Sequence, residues 1–132
     1  MKLACPRAAP LTMLRLTFRI FALLGFAIAA TSAFAHAQLQ KATPAVGGTV
    51  SSPSEIRLEF SEGVEPKFSG VTLTAADGAS IPLGAAKVEA GHNGVLIVPI
   101  GKTLPPGTYA VHWRAVSVDT HHTQGTFGFT VK

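Results

Sequence analysis

The chain is poor in sulfur, tryptophan and tyrosine. Its 132 residues include one cysteine, two methionines, one tryptophan and one tyrosine. The cysteine is Cys5 and the methionines are Met1 and Met13. Beyond position 13 no disulfide can form, and no thiol or thioether is available to a metal. A domain built from that part of the chain is held by its hydrophobic core alone, which a chain of about 100 residues can achieve with limited margin. Sustained 3.6-residue periodicity is also missing, which excludes a helical bundle. There is no internal repeat, low-complexity tract or linker. Charge of one sign is absent from the main body: residues 36–132 carry seven Lys/Arg and seven Asp/Glu. The formal net charge of +4 therefore comes from the N-terminal third. With no basic patch or run, nothing points to nucleic acid or to a lipid surface.

The N-terminal third has a pattern of its own. Lys2, Arg7, Arg15 and Arg19 precede "IFALLGFAIAA", Ile20 to Ala30, and then "AFA", Ala33 to Ala35. A basic region, a short apolar run and a small-x-small site together predict a secretory signal peptide over 1–35. The run falls short of the roughly 20 apolar residues of a membrane-spanning helix. "LTMLRLTFRI" lengthens the segment, so an uncleaved anchor is the alternative, but Arg15 and Arg19 interrupt it. Cleavage after Ala35 leaves a single domain over 36–132, exported to the periplasm of a bacterium, with His36 as its first residue.

From there the pattern has period two. "SEIRLEF" alternates Ile56, Leu58 and Phe60 with Glu55, Arg57 and Glu59. "SGVTLTA" alternates Val71 and Leu73 with threonines, and "GTYAVHWRAVS" alternates Tyr109, Val111, Trp113 and Ala115 with Ala110, His112, Arg114 and Val116. "TQGTFGFTV" puts Phe127, Phe129 and Val131 on one face. Alternation of this kind predicts half-buried strands. The continuous run Val95 to Val98 predicts a strand covered on both faces, which Pro99 ends or places at an edge. Turn signals recur about every ten residues, among them Asp77-Gly78 and Pro105-Pro106-Gly107. "SEGVEPKFSG" reads as a short turn. The expected fold is all-β: a Greek-key β-sandwich of about seven strands, immunoglobulin-like or cupredoxin-like.

Five histidines remain to be sorted: His36, His92, His112, His121 and His122. A histidine that begins a chain differs from the others, because its α-amine and its ring Nδ1 can close a six-membered chelate on one metal. An amine with a pKa of about 7.7–8.0 yields its proton to a metal near neutral pH. In "SVDTHHTQG", Asp119 and His121 stand at i and i+2, and in extended backbone such side chains project to one side. Three nitrogens and one carboxylate oxygen suit Cu(II) in tetragonal geometry. Zinc could use the same groups tetrahedrally. His112 reads as an outward strand residue and His92 as a solvated loop residue. His122 is expected to face away from His121.

These residues resemble a known family. "HAQLQKATPAVGGTV", "IRLEFSEGVEPKFSGV" and "LPPGTYAVHWRAVSVDTHHTQGTFGFTV" are similar, in order and spacing, to the CopC-type periplasmic copper-binding proteins of copper resistance. The resemblance implies a periplasmic β-sandwich that binds one Cu(II) through a histidine brace and carries or buffers it without catalysis. It also implies hand-over to a CopD-type inner-membrane copper transporter. His36, with its amine, matches the family's N-terminal histidine, and Asp119 and His121 match its D-x-H motif. Glu62 in "FSEGV" matches an acid near the metal, in a supporting role. Some members add a methionine-rich Cu(I) site. With no methionine after Met13, this chain resembles the Cu(II)-only kind. His122 stands where the family often has proline, which leaves it open as an alternative ligand. Two other readings remain: a histidine-brace copper redox enzyme, and a metal-free immunoglobulin-like interaction module.

Overall fold

In a computed structural model, the described residues are 36–132. The signal-peptide reading of 1–35 lies outside them. Nine strands follow one another: β1 (Leu39–Thr43), β2 (Thr49–Val50), β3 (Glu55–Phe60), β4 (Gly70–Ala75), β5 (Ser80–Ile81), β6 (Lys87–Glu89), β7 (His92–Pro99), β8 (Gly107–Val116) and β9 (His122–Val131). Among the described residues there is no helix. The strands form two sheets, one ordered β1-β3-β7-β6 and the other β2-β9-β8-β4-β5. Strands far apart in sequence become neighbours, β3 with β7 and β4 with β8, as in a Greek key. The all-β sandwich expected from the alternation is thus the fold observed. Two of its nine strands hold only two residues each.

The alternation decides which face is buried. Ile56, Leu58 and Phe60 of β3 and Leu96 and Val98 of β7 enter one core with Leu73 of β4, Tyr109 and Val111 of β8, and Phe127, Phe129 and Val131 of β9. Both sheets contribute to it, so neither can bury its apolar face without the other. The Tyr109 hydroxyl donates to the Pro105 carbonyl at 2.7 Å, which satisfies the polar end of a buried side chain. Its ring stacks on Phe129 at 5.7 Å between centroids. Trp113 is half-buried and meets Phe60 edge-on at 5.3 Å. Gly125 lies opposite Trp113 in the ladder, and a Cβ there would come within 2.7 Å of the indole. Only glycine leaves room for that ring.

β7 lies inside its sheet, between β3 and β6, so Pro99 ends it rather than marking an edge. Leu96, Ile97 and Val98 are all buried. Among the described residues, no second layer covers the outward-facing Ile97. Arg57 and Lys87 flank it across the ladder, and the stems of long charged side chains shield apolar surface. The Arg57 guanidinium passes over β7 to donate to Glu89 Oε1 at 2.6 Å. "SEGVEPKFSG" forms the expected turn, with the amides of Phe68 and Ser69 donating to the Glu65 carbonyl.

Candidate metal centre

The stretch at His36 meets the β8–β9 loop at one end of the sandwich. Ala37 is fully buried, and its carbonyl accepts a hydrogen bond from Thr123 Oγ1, at the start of β9, at 2.8 Å. The Gln38 amide donates to Ser61 Oγ at 2.9 Å, and the Ser61 amide donates back to the Gln38 carbonyl at 2.9 Å. Ser61 Oγ also lies 3.5 Å from the His36 carbonyl. The segment leading into β1 is therefore pinned between the end of β3 and the start of β9. His36 itself is exposed. Its ring stands over that of His121, with centroids 4.7 Å apart and planes tilted by 36°.

His121 belongs to the tight loop that joins β8 to β9. The ladder between those strands closes with Val116 opposite His122, leaving Ser117 to His121 to make the reversal. The Thr120 amide donates to the Ser117 carbonyl at 2.8 Å, and the Ser117 amide donates to the His121 carbonyl at 2.9 Å. Inside this loop His121 Nδ1 and Asp119 Oδ2 are 2.8 Å apart. A ring nitrogen engaged by a carboxylate leaves the other one, Nε2, to face outward. The buried Ser117 hydroxyl donates to Asp119 Oδ1. That bond, with help from the His121 ring and amide, holds the Asp119 carboxyl below the ordinary carboxylate range, against the opposing effect of burial. Asp119 is thus an anion at neutral pH.

The structure brings His36, Asp119 and His121 into a chain of contacts, His36 to His121 and His121 to Asp119. It does not close them into a ring. Among the described residues, no three His, Cys, Asp or Glu side chains converge closely enough to hold a metal by themselves. The donors present are imidazole and carboxylate, a nitrogen and oxygen set with no sulfur, which fits Cu(II) or Zn(II).

The other singled-out residues stand apart. Glu62 is half-buried on the stretch that runs beside the loop, where the Val118 amide donates to the Gly63 carbonyl at 3.0 Å. Its side chain makes no hydrogen bond or ion pair with His36, Asp119 or His121. His122 alternates with the inward Thr123 and is exposed on the outer face. His112 is exposed on the outer face of β8, with Nδ1 at 3.0 Å from Thr126 Oγ1. His92 begins β7 rather than lying in a loop, and its Nδ1 is 3.6 Å from Glu89 Oε2. Sequence reasoning passed over Ser61, Ser117 and Thr123, which hold the site's backbone and carboxylate. Their signal was faint: small hydroxyl residues next to the motif residues, of a kind common in any turn.

The chain is similar to known proteins over most of its length. The family model described as the CopC domain matches residues 39–132. Protein YobA of Escherichia coli strain K12 is 42% identical over 112 residues, covering 84% of this chain and 90% of the relative. A copper resistance protein C of Escherichia coli is 44% identical over 111 residues, 78% of this chain and 86% of its own length. Among solved structures, that of PcoC, a methionine-rich copper resistance protein from Escherichia coli, superposes with a TM-score of 0.67 at 36% identity, covering 74% of this chain and all of that one.

Proposed function

The chain belongs to the CopC family, and from that premise we propose that it is a periplasmic Cu(II)-binding protein that captures one copper ion and carries or buffers it. Copper is cargo in this reading, and no catalytic step is required. The ligands are the His36 α-amine and ring, freed by cleavage after Ala35, together with His121 and Asp119. The observation that carries the proposal is the meeting of His36 and His121, residues far apart in sequence, with rings 4.7 Å apart beside an ionised Asp119. Side chains alone leave the set open. The amine supplies the missing donor, and a residue that chelates through two of its own nitrogens needs few others.

The oxidation state follows from the donors. Imidazole, amine and carboxylate favour Cu(II), whereas soft sulfur favours Cu(I). The structural relative PcoC is described as methionine-rich, while residues 36–132 of this chain have no methionine at all. A single Cu(II) site is the consistent reading. The exposed position of His36 lets copper pass to another protein, and an inner-membrane copper transporter of the CopD type is the recipient that the family resemblance supports. Tyr109 is buried and Trp113 is packed on Phe60 and Gly125. Neither is offered as a flat platform for a polymeric substrate, which weighs against a copper enzyme of polysaccharides.

The test is a pair of proteins, one beginning at His36 and one with a single residue left before it. The added residue turns the amine into an amide. Titration with Cu(II) against a competing chelator is expected to show the first binding one ion far more tightly. The difference should exceed the roughly 10- to 100-fold that loss of a partner behind a metal ligand costs. Equal affinities overturn the proposal.

A further inference from the structure

Resting on that reading of the site, we propose that Ser117 is a positioning residue that presets the Asp119–His121 pair before copper arrives. It determines which carboxylate oxygen and which imidazole nitrogen are offered to the metal.

Ser117 is fully buried, whereas Asp119 and His121 are exposed. A buried hydroxyl must find partners within the protein. Those of Ser117 belong to the two motif residues: its hydroxyl donates to Asp119 Oδ1 and lies 3.3 Å from the His121 carbonyl. Its backbone clasps the same loop through the Ser117 amide to His121 carbonyl bond and the Thr120 amide to Ser117 carbonyl bond. Thr120, between the two motif residues, has a φ of +74°. A β-branched residue rarely adopts that region, and such a conformation persists only where its surroundings hold it. The loop is therefore kept in one shape by contacts that converge on Ser117.

The consequence is chemical. With Oδ1 held by Ser117, Asp119 presents Oδ2 alone. An oxygen with two lone pairs can accept from His121 Nδ1 and still bind a metal, while His121 offers Nε2. Asp119 then binds through one oxygen, and His121 cannot turn its ring. Without the Ser117 hydroxyl, Asp119 is free to swing into solvent or to chelate through both oxygens.

A double-mutant cycle in the protein beginning at His36 tests this. Ser117→Ala, Asp119→Ala and the double variant are titrated with Cu(II), and the copper-loaded forms are compared by electron paramagnetic resonance. Thermal unfolding without metal reports on the fold of each. The expected result is a roughly 10- to 100-fold weaker Cu(II) affinity and an altered copper spectrum for Ser117→Ala. In the Asp119→Ala background the same change should have little further effect, because two residues acting through one contact are not additive. Equal losses in both backgrounds would show that Ser117 merely supports the loop, and would overturn the inference. So would an unchanged affinity and spectrum in a folded Ser117→Ala. His121→Ala serves as the control for the site itself. If it too leaves Cu(II) binding intact, the functional reading fails; if it abolishes binding while Ser117→Ala does nothing, only the inference about Ser117 fails.

Discussion

At the scale of single residues, five histidines take different surroundings from their neighbours. His121 and His122 are adjacent in sequence and separate in position. His121 ends the loop, with one ring nitrogen against Asp119 and its ring beneath that of His36. His122 opens β9 and points to the outer face. His121→Ala is expected to weaken Cu(II) binding by well over about 1.4 kcal/mol, a factor of ten. His122→Ala should stay within about 0.5 kcal/mol, the usual range of surface substitutions. Chelator competition on the two variants checks both. A large loss in His122→Ala would instead make it the alternative ligand that the sequence leaves open. The D-x-H spacing made Asp119 and His121 visible in the sequence. Ser117 was not visible, because a serine signals nothing until its burial is known.

Elements differ in how much of them the sequence reveals. β3, β8 and β9 are long, and each alternates apolar with polar residues, so period two shows both strand and face. β2, β5 and β6 have two or three residues each. Segments that short carry no period, and pairing with a neighbour defines them. β6 nonetheless contributes Glu89, whose ion pair with Arg57 ties β3 to β6 across the outward face of β7. The hydrogen bond from Arg57 holds the Glu89 carboxyl below its ordinary range, with burial opposing. The folded protein therefore binds this proton less readily than the unfolded chain does. The stabilisation is complete above the ordinary glutamate range and is lost as pH falls through the depressed folded value. Both side chains are about a third exposed, so the effect is small. Glu89→Gln should lower the thermal midpoint slightly at pH 7, and its midpoint should converge with that of the natural protein in acid. A constant gap down to acid pH would contradict the assignment.

For the molecule as a whole, stability rests on one core shared by two sheets. No cysteine lies among residues 36–132 to staple it. Phe129 is 1% exposed and lies among residues of both sheets. Phe129→Ala is expected to cost about 3–5 kcal/mol, a large share of the roughly 5–15 kcal/mol that holds a domain of this kind together. Urea unfolding measures it. A loss under about 1 kcal/mol would mean that the sheets do not depend on each other.

The residues by themselves determined the all-β class, the buried face of each long strand, and the D-x-H motif, because period and spacing are local and need no partner. They also limited the chemistry open to the candidate site, since donors without sulfur among residues 36–132 restrict which ions fit. Which histidines come together was decided by tertiary structure. Hydrogen bonds to Ser61 Oγ and from Thr123 Oγ1 fix the stretch after His36 against the end of β3 and the start of β9, and this places its ring on that of His121. Proximity between the start of the domain and the β8–β9 loop comes from strand order and register, which no local pattern in a sequence encodes.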